Sequence, residues 1–124
     1  MARNARPTRV AILDDDASVR TALVRTLKAE GMVVIASATS DELFDTITRE
    51  SPDCLVLDLQ MRGMNGLEVL KRLRQMGVPF PTLVLSGSND VGSRSACLNA
   101  GAAEYLRKPV DADRLIKTID KISA

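Results

Sequence analysis

The stretch "RVAILDDDASVR", Arg9–Arg20, passes from a short apolar run straight into three adjacent carboxylates, Asp14, Asp15 and Asp16. A run of that length reads as a buried strand. Val19, Leu23 and Leu27 then recur at helical spacing until Gly31 stops them. The same unit repeats along the chain. Apolar runs return at "VVIA", "CLVL", "TLVL" and "EYL", each followed by a helical pattern. Leu43 and Ile47 mark the second helix, entered through a capping box from Thr39 to Glu42. Leu70, Leu73 and Met76 mark the third, with Asn65 as cap and Gly77 as stop. Val91, Ser95 and Leu98 mark the fourth, ended by Gly101, and Ala112, Leu115, Ile116 and Ile119 mark the fifth. Strand and helix in regular alternation predict an α/β fold, a doubly wound five-stranded parallel sheet flanked by five helices. In the flavodoxin-like order 2-1-3-4-5, strands one, three, four and five are neighbours.

Composition narrows the function. The 124 residues suffice for one domain with its own core. Lys and Arg total 17 against 16 Asp and Glu, so no broad nucleic-acid-binding face is expected. The apolar runs are too short to span a bilayer. Residues 1–7 are basic without an apolar stretch and read as a disordered leader, leaving 8–124 as the domain. Cys54 and Cys97 stand apart in apolar or helical surroundings, as buried thiols of a reduced, cytoplasmic protein. Histidine is absent, which removes the usual acid–base residue and the commonest metal ligand.

The polar residues fall at one edge. Asp14 and Asp15 follow the first strand, Asp58 the third, Ser86 the fourth and Lys108 the fifth. In a parallel sheet these carboxyl ends share the edge where ligands bind. Carboxylates without His or Cys select a hard cation such as Mg²⁺. The cation would relieve repulsion among the acids and draw in a phosphoryl group, whose transfer needs mainly positioning and charge neutralisation. A carboxylate can itself be the nucleophile, giving an acyl phosphate.

In these features the chain resembles the receiver domain of bacterial two-component response regulators, from about Thr8 to its end. The acidic doublet Asp14-Asp15, Asp58, "MNGLEVL" at Met64–Leu70, Ser86-Gly87 and Lys108-Pro109 carry the resemblance. It implies that Asp58 is the phosphoacceptor, phosphorylated from a histidine kinase or histidine phosphotransfer protein in two-component phosphorelay signal transduction. It implies Mg²⁺ held by Asp15, Asp58 and the backbone carbonyl of Gln60, with Asp14 acting mostly through metal-bound water. Lys108, before a cis proline, would contact the phosphoryl group. Ser86 would be the switch hydroxyl and Tyr105 the aromatic that follows it, altering a downstream protein-binding face on the fourth helix, fifth strand and fifth helix. Gln60 and Ser88 would tune how fast the phosphoryl group is lost. Arg62 departs from the family, where proline is usual. The resemblance leaves open a stand-alone receiver and part of a longer regulator.

Plainer roles compete. Asp16 faces the start of the first helix and reads as its cap. Lys108 would serve equally as a structural counter-ion, Ser86 as a turn hydroxyl, and Tyr105 as strand-edge packing with its hydroxyl in water. Arg62 reads mainly as a solvated loop charge. Two other functions remain: a receiver-like interaction module independent of phosphorylation, and a phosphohydrolase with an aspartyl nucleophile. The hydrolase would usually need an acid–base carboxylate two residues beyond Asp58, where Gln60 stands. The expectation is therefore a signalling module, not an enzyme beyond its own phosphorylation and dephosphorylation.

Overall fold

The computed structural model describes residues 6–87 and 91–124. Of the leader expected over 1–7, only Arg6 and Pro7 fall among them. Seven strands and five helices follow in the order β1 (Arg9–Leu13), α1 (Ala17–Ala29), β2 (Val33–Ser37), α2 (Ser40–Arg49), β3 (Cys54–Asp58), β4 (Gln60–Met61), β5 (Met64–Asn65), α3 (Gly66–Met76), β6 (Thr82–Ser86), α4 (Val91–Asn99), β7 (Glu104–Arg107) and α5 (Ala112–Ser123). Five of the strands form one parallel sheet in the order β2-β1-β3-β6-β7. Counted within that sheet, this is the expected 2-1-3-4-5. The two-residue strands β4 and β5 make a separate antiparallel ribbon, where the sequence suggested only a loop.

Period-two alternation within the strands builds two cores. Ala11, Leu13, Leu55, Leu57 and Val84 face α2, α3 and α4 through Leu43, Leu70 and Cys97. Val10, Ile12, Val56, Leu83 and Leu85 face α1 and α5 through Leu27, Leu115 and Ile119. The strands β3 and β6 are buried along their whole length, as a sheet covered on both faces requires.

The expected caps form. Asp16 accepts from the N–H groups of Ser18 and Val19, and the Thr39–Glu42 capping box is complete. Asn65 caps α3, and Gly77 ends it at φ 68°. Two helix faces need correction. Met76 is 47% exposed, since α3 buries Val69, Leu70 and Leu73 instead. On α4 the exposed Ser95 is off the core face, which Cys97 occupies. Burial also pushes the Cys54 thiol up to about 12, as expected for an unreactive core thiol.

Gly66 fixes the path of the chain beyond β3. A Cβ there would lie 2.8 Å from the Cα and 2.9 Å from the carbonyl oxygen of Leu59, backbone atoms that cannot swing aside. Gly66→Ala is expected to cost ~1–3 kcal/mol by overpacking, read as a lower urea midpoint at unchanged m-value. An unaltered midpoint would show that α3 moves away freely.

Candidate functional site

The register brings the strand ends together. Asp14 and Asp15 leave β1, Asp58 closes β3, Ser86 closes β6, and Lys108 follows β7. Within the sheet Leu13 pairs with Leu57, Asp58 with Leu85, and Ser86 with Arg107. The ladder continues past the strands, with Leu59 N–H donating to Leu85 O at 2.9 Å and Lys108 N–H to Ser86 O at 2.8 Å. The Lys108–Pro109 peptide is cis. An open crevice of about 830 Å³ is lined by Asp14, Asp15, Asp58, Gln60, Arg62 and Lys108, among others.

Each acid is held differently. Asp14 is 1% exposed. Its Oδ1 accepts from Asp16 N–H at 2.9 Å, and its backbone carbonyl accepts from Arg20 Nη1 at 2.8 Å. Its Oδ2 is buried without a hydrogen-bond partner among the described residues. Burial, reinforced by the neighbouring Asp58 and Asp15 carboxylates, raises its pKa against the opposing pull of the Asp16 N–H and the Lys108 charge. Asp15 is half-buried and accepts from the backbone N–H of Arg62 at 2.6 Å. Asp58 is 4% exposed and receives Lys108 Nζ at 2.9 Å.

The three acids present oxygens that all lie within 4.8 Å of one another. Their donor set is wholly oxygen, one oxygen is unsatisfied, and a single ammonium stands against the three carboxylates. These features fit a hard divalent cation.

Ser86 is fully buried. Its Oγ accepts from Gln60 Nε2 at 2.9 Å, while Gly87 N–H donates to Gln60 Oε1 at 2.9 Å. Tyr105 is 8% exposed, and its hydroxyl donates to Ser93 Oγ on α4 at 3.3 Å. The plain expectation of a hydroxyl in water is thus replaced by a bond between β7 and α4. Ser88 lies outside the described residues. Sequence reasoning missed two contacts, the Gln60 amide and the Arg62 backbone N–H. Both depend on the β4–β5 ribbon, which has no hydrophobic period to announce it.

Residues 10–120 match the sequence profile of the response regulator receiver domain. The chain belongs to the receiver-domain family. The receiver is 40% identical over 110 residues to the response regulator MprA of Mycolicibacterium vanbaalenii, covering 89% of this chain and 48% of that protein. It is 33% identical over 110 residues to the DNA-binding transcriptional regulator NtrC of Klebsiella pneumoniae, covering 89% of this chain and 24% of that one. The receiver thus spans about half the length of MprA. A solved CheY-like receiver domain protein from Methanospirillum hungatei superposes with a TM-score of 0.88 at 26% identity, covering 95% of this chain and 94% of that one. Family and fold identify the receiver as a module of two-component phosphorelay signalling. Among the described residues no helix is long and apolar enough to cross a membrane.

The buried Asp14 gives a stability test. A carboxyl whose folded pKa is raised above its ordinary 3.8 holds its proton longer when folded than when unfolded. Stability therefore falls as pH rises through the window between those values, and the full penalty persists above it. In chelator-treated buffer at neutral pH, Asp14→Asn should be more stable than the native protein by ~1–3 kcal/mol. The gain should vanish below the ordinary carboxylate pKa. Urea unfolding at several pH values checks this, and a variant less stable at neutral pH would contradict the assigned cost.

Proposed function

We propose that this receiver domain accepts a phosphoryl group on Asp58 from a histidine kinase or histidine phosphotransfer protein. The observation that carries it is Asp58 itself, a buried carboxylate at a strand end, paired with Lys108 and crowded by Asp14 and Asp15. An Asp58 Oδ attacks phosphorus, the P–N bond to the donor imidazole breaks, and its electron pair leaves with the imidazole, which takes a proton. The donor histidine comes from a partner, because this sequence has none. Lys108 releases its ion pair with the bare carboxylate to hold phosphoryl oxygens, and Ser86 supplies a hydroxyl at the adjacent strand end. Asp14, Asp15, Asp58 and the Gln60 backbone carbonyl would hold Mg²⁺, which when bound offsets the charge of the acids and of the phosphoryl oxygens.

Phosphorylation biases two pre-existing states of the β6–α4 region, with Tyr105 following Ser86. The altered surface comprises α4, β7 and α5 and binds a downstream protein rather than nucleic acid or membrane. The only chemistry proposed is self-phosphorylation and self-dephosphorylation, in the cytoplasm. The intact acidic cluster with its Lys108 partner favours this over a phosphorylation-independent module, whose acidic site would normally be eroded.

Incubation with Mg²⁺ and acetyl phosphate, followed by intact mass, should give one labile phosphoryl adduct. The adduct should be absent in Asp58→Ala and without Mg²⁺. No adduct on the native protein would sink the proposal, and steady phosphate release from many esters would favour a hydrolase. Ser86→Ala should still be phosphorylated but show a smaller change in partner binding; an undiminished change would remove Ser86 as the switch.

A further inference from the structure

The strongest unassigned feature is the bidentate grip of the Gln60 side chain on the end of β6. Gly87 N–H is an obligate donor, so the amide oxygen must face it, and the amide nitrogen must then face Ser86. Both bonds are 2.9 Å, and both reach across from the first residue beyond Leu59 in the β3–β4 connection. One partner, Ser86, is fully buried; the other, Gly87, opens the segment leading to α4.

We propose that Gln60 is a positioning residue that latches Ser86 and Gly87 in the resting arrangement and competes with the phosphoryl group for the Gly87 N–H, a role that rests on Asp58 being the phosphoacceptor. A phosphoryl group brings acceptor oxygens and no donors at neutral pH. It therefore needs N–H and O–H groups around it. Lys108 already reaches Asp58, and the next donors along the sheet edge belong to the end of β6, whose Leu85 is in register with Asp58. In the resting protein the Gly87 N–H is directed at Gln60 Oε1, and the Ser86 oxygen is held by Gln60 Nε2. One N–H shared between an amide oxygen and a phosphoryl oxygen bonds each more weakly than one alone, and the partial negative charge of Oε1 would repel the anion. Acceptance of phosphate is thus favoured when the amide lets go. Any residue at position 60 that keeps the backbone but lacks the paired donor and acceptor should favour the phosphorylated arrangement. This effect concerns entry into that arrangement and is separate from the rate at which the phosphoryl group is hydrolysed.

Two readouts on the full chain test the latch. The first is NMR of the resting protein, where Gly87 N–H should exchange slowly with solvent and shift on Gln60→Met, a side chain of similar length without the amide. The second is titration with beryllofluoride in Mg²⁺, a stable mimic of the phosphoryl group. Loss of two modest hydrogen bonds to the resting state predicts binding roughly 5- to 30-fold tighter in Gln60→Met. Gln60→Asn, too short to span both partners, should behave like it. In a Ser86→Ala background the gain should shrink, which a merely structural role for Gln60 would not produce. Unchanged Gly87 exchange and shift in Gln60→Met, or mimic binding no tighter than native, would overturn the latch. If neither the native protein nor any variant binds the mimic, the phosphoacceptor reading fails and competition with it; the NMR result still reports separately whether the clamp exists.

Discussion

Mutual repulsion of Asp14, Asp15 and Asp58 is the constraint around which the rest of the molecule is arranged. Three carboxylate oxygens within 4.8 Å of one another would drift apart on a soft scaffold. Here the two strands that carry them are hydrogen-bonded neighbours in the middle of a sheet covered on both faces. The rigidity of that packed core stops the acids from relaxing. One ammonium compensates them in part, leaving a concentrated negative charge at the mouth of an open crevice. Such a site repels anions on their own, raises the proton affinity of Asp14, and is suited to a cation that arrives from solvent.

The three adjacent aspartates divide their work according to where the strand ends. Asp14 is still inside the sheet, its N–H bonded to Ser37 O of β2. Asp15 turns toward the crevice and is steadied by the ribbon backbone at Arg62. Asp16 has already become the cap of α1. A one-residue step along the chain is enough to separate these environments, because side chains at a strand end alternate in direction.

Most of this was legible in the sequence because the signals are local. Strand runs, the Thr39–Glu42 box, the Asn65 cap and the glycine stops are each determined by a few neighbouring residues. The convergence of Asp14, Asp15, Asp58, Ser86 and Lys108 followed once alternation indicated a parallel sheet. What escaped was non-local or weakly patterned. The ribbon of β4 and β5 is too short to show a period, so the reach of Gln60 to Ser86 and Gly87 left no trace in the spacing. Helix α4 mixes Ser, Gly and Arg with few apolar residues, and its inward face is centred on Cys97 with Leu98 packed beside it, while Ser95 of the expected stripe is exposed.

The edge strand β7 has a further consequence. Its consecutive residues Tyr105 and Leu106 belong to opposite cores, the first shared with α2, α3 and α4, the second with α1 and α5. The two helices beside that edge, α4 and α5, therefore rest on opposite faces of one sheet, and the strand between them is common to both cores. A displacement of α4 over its own face need not disturb the Leu115 and Ile119 packing of α5, because the sheet lies between them.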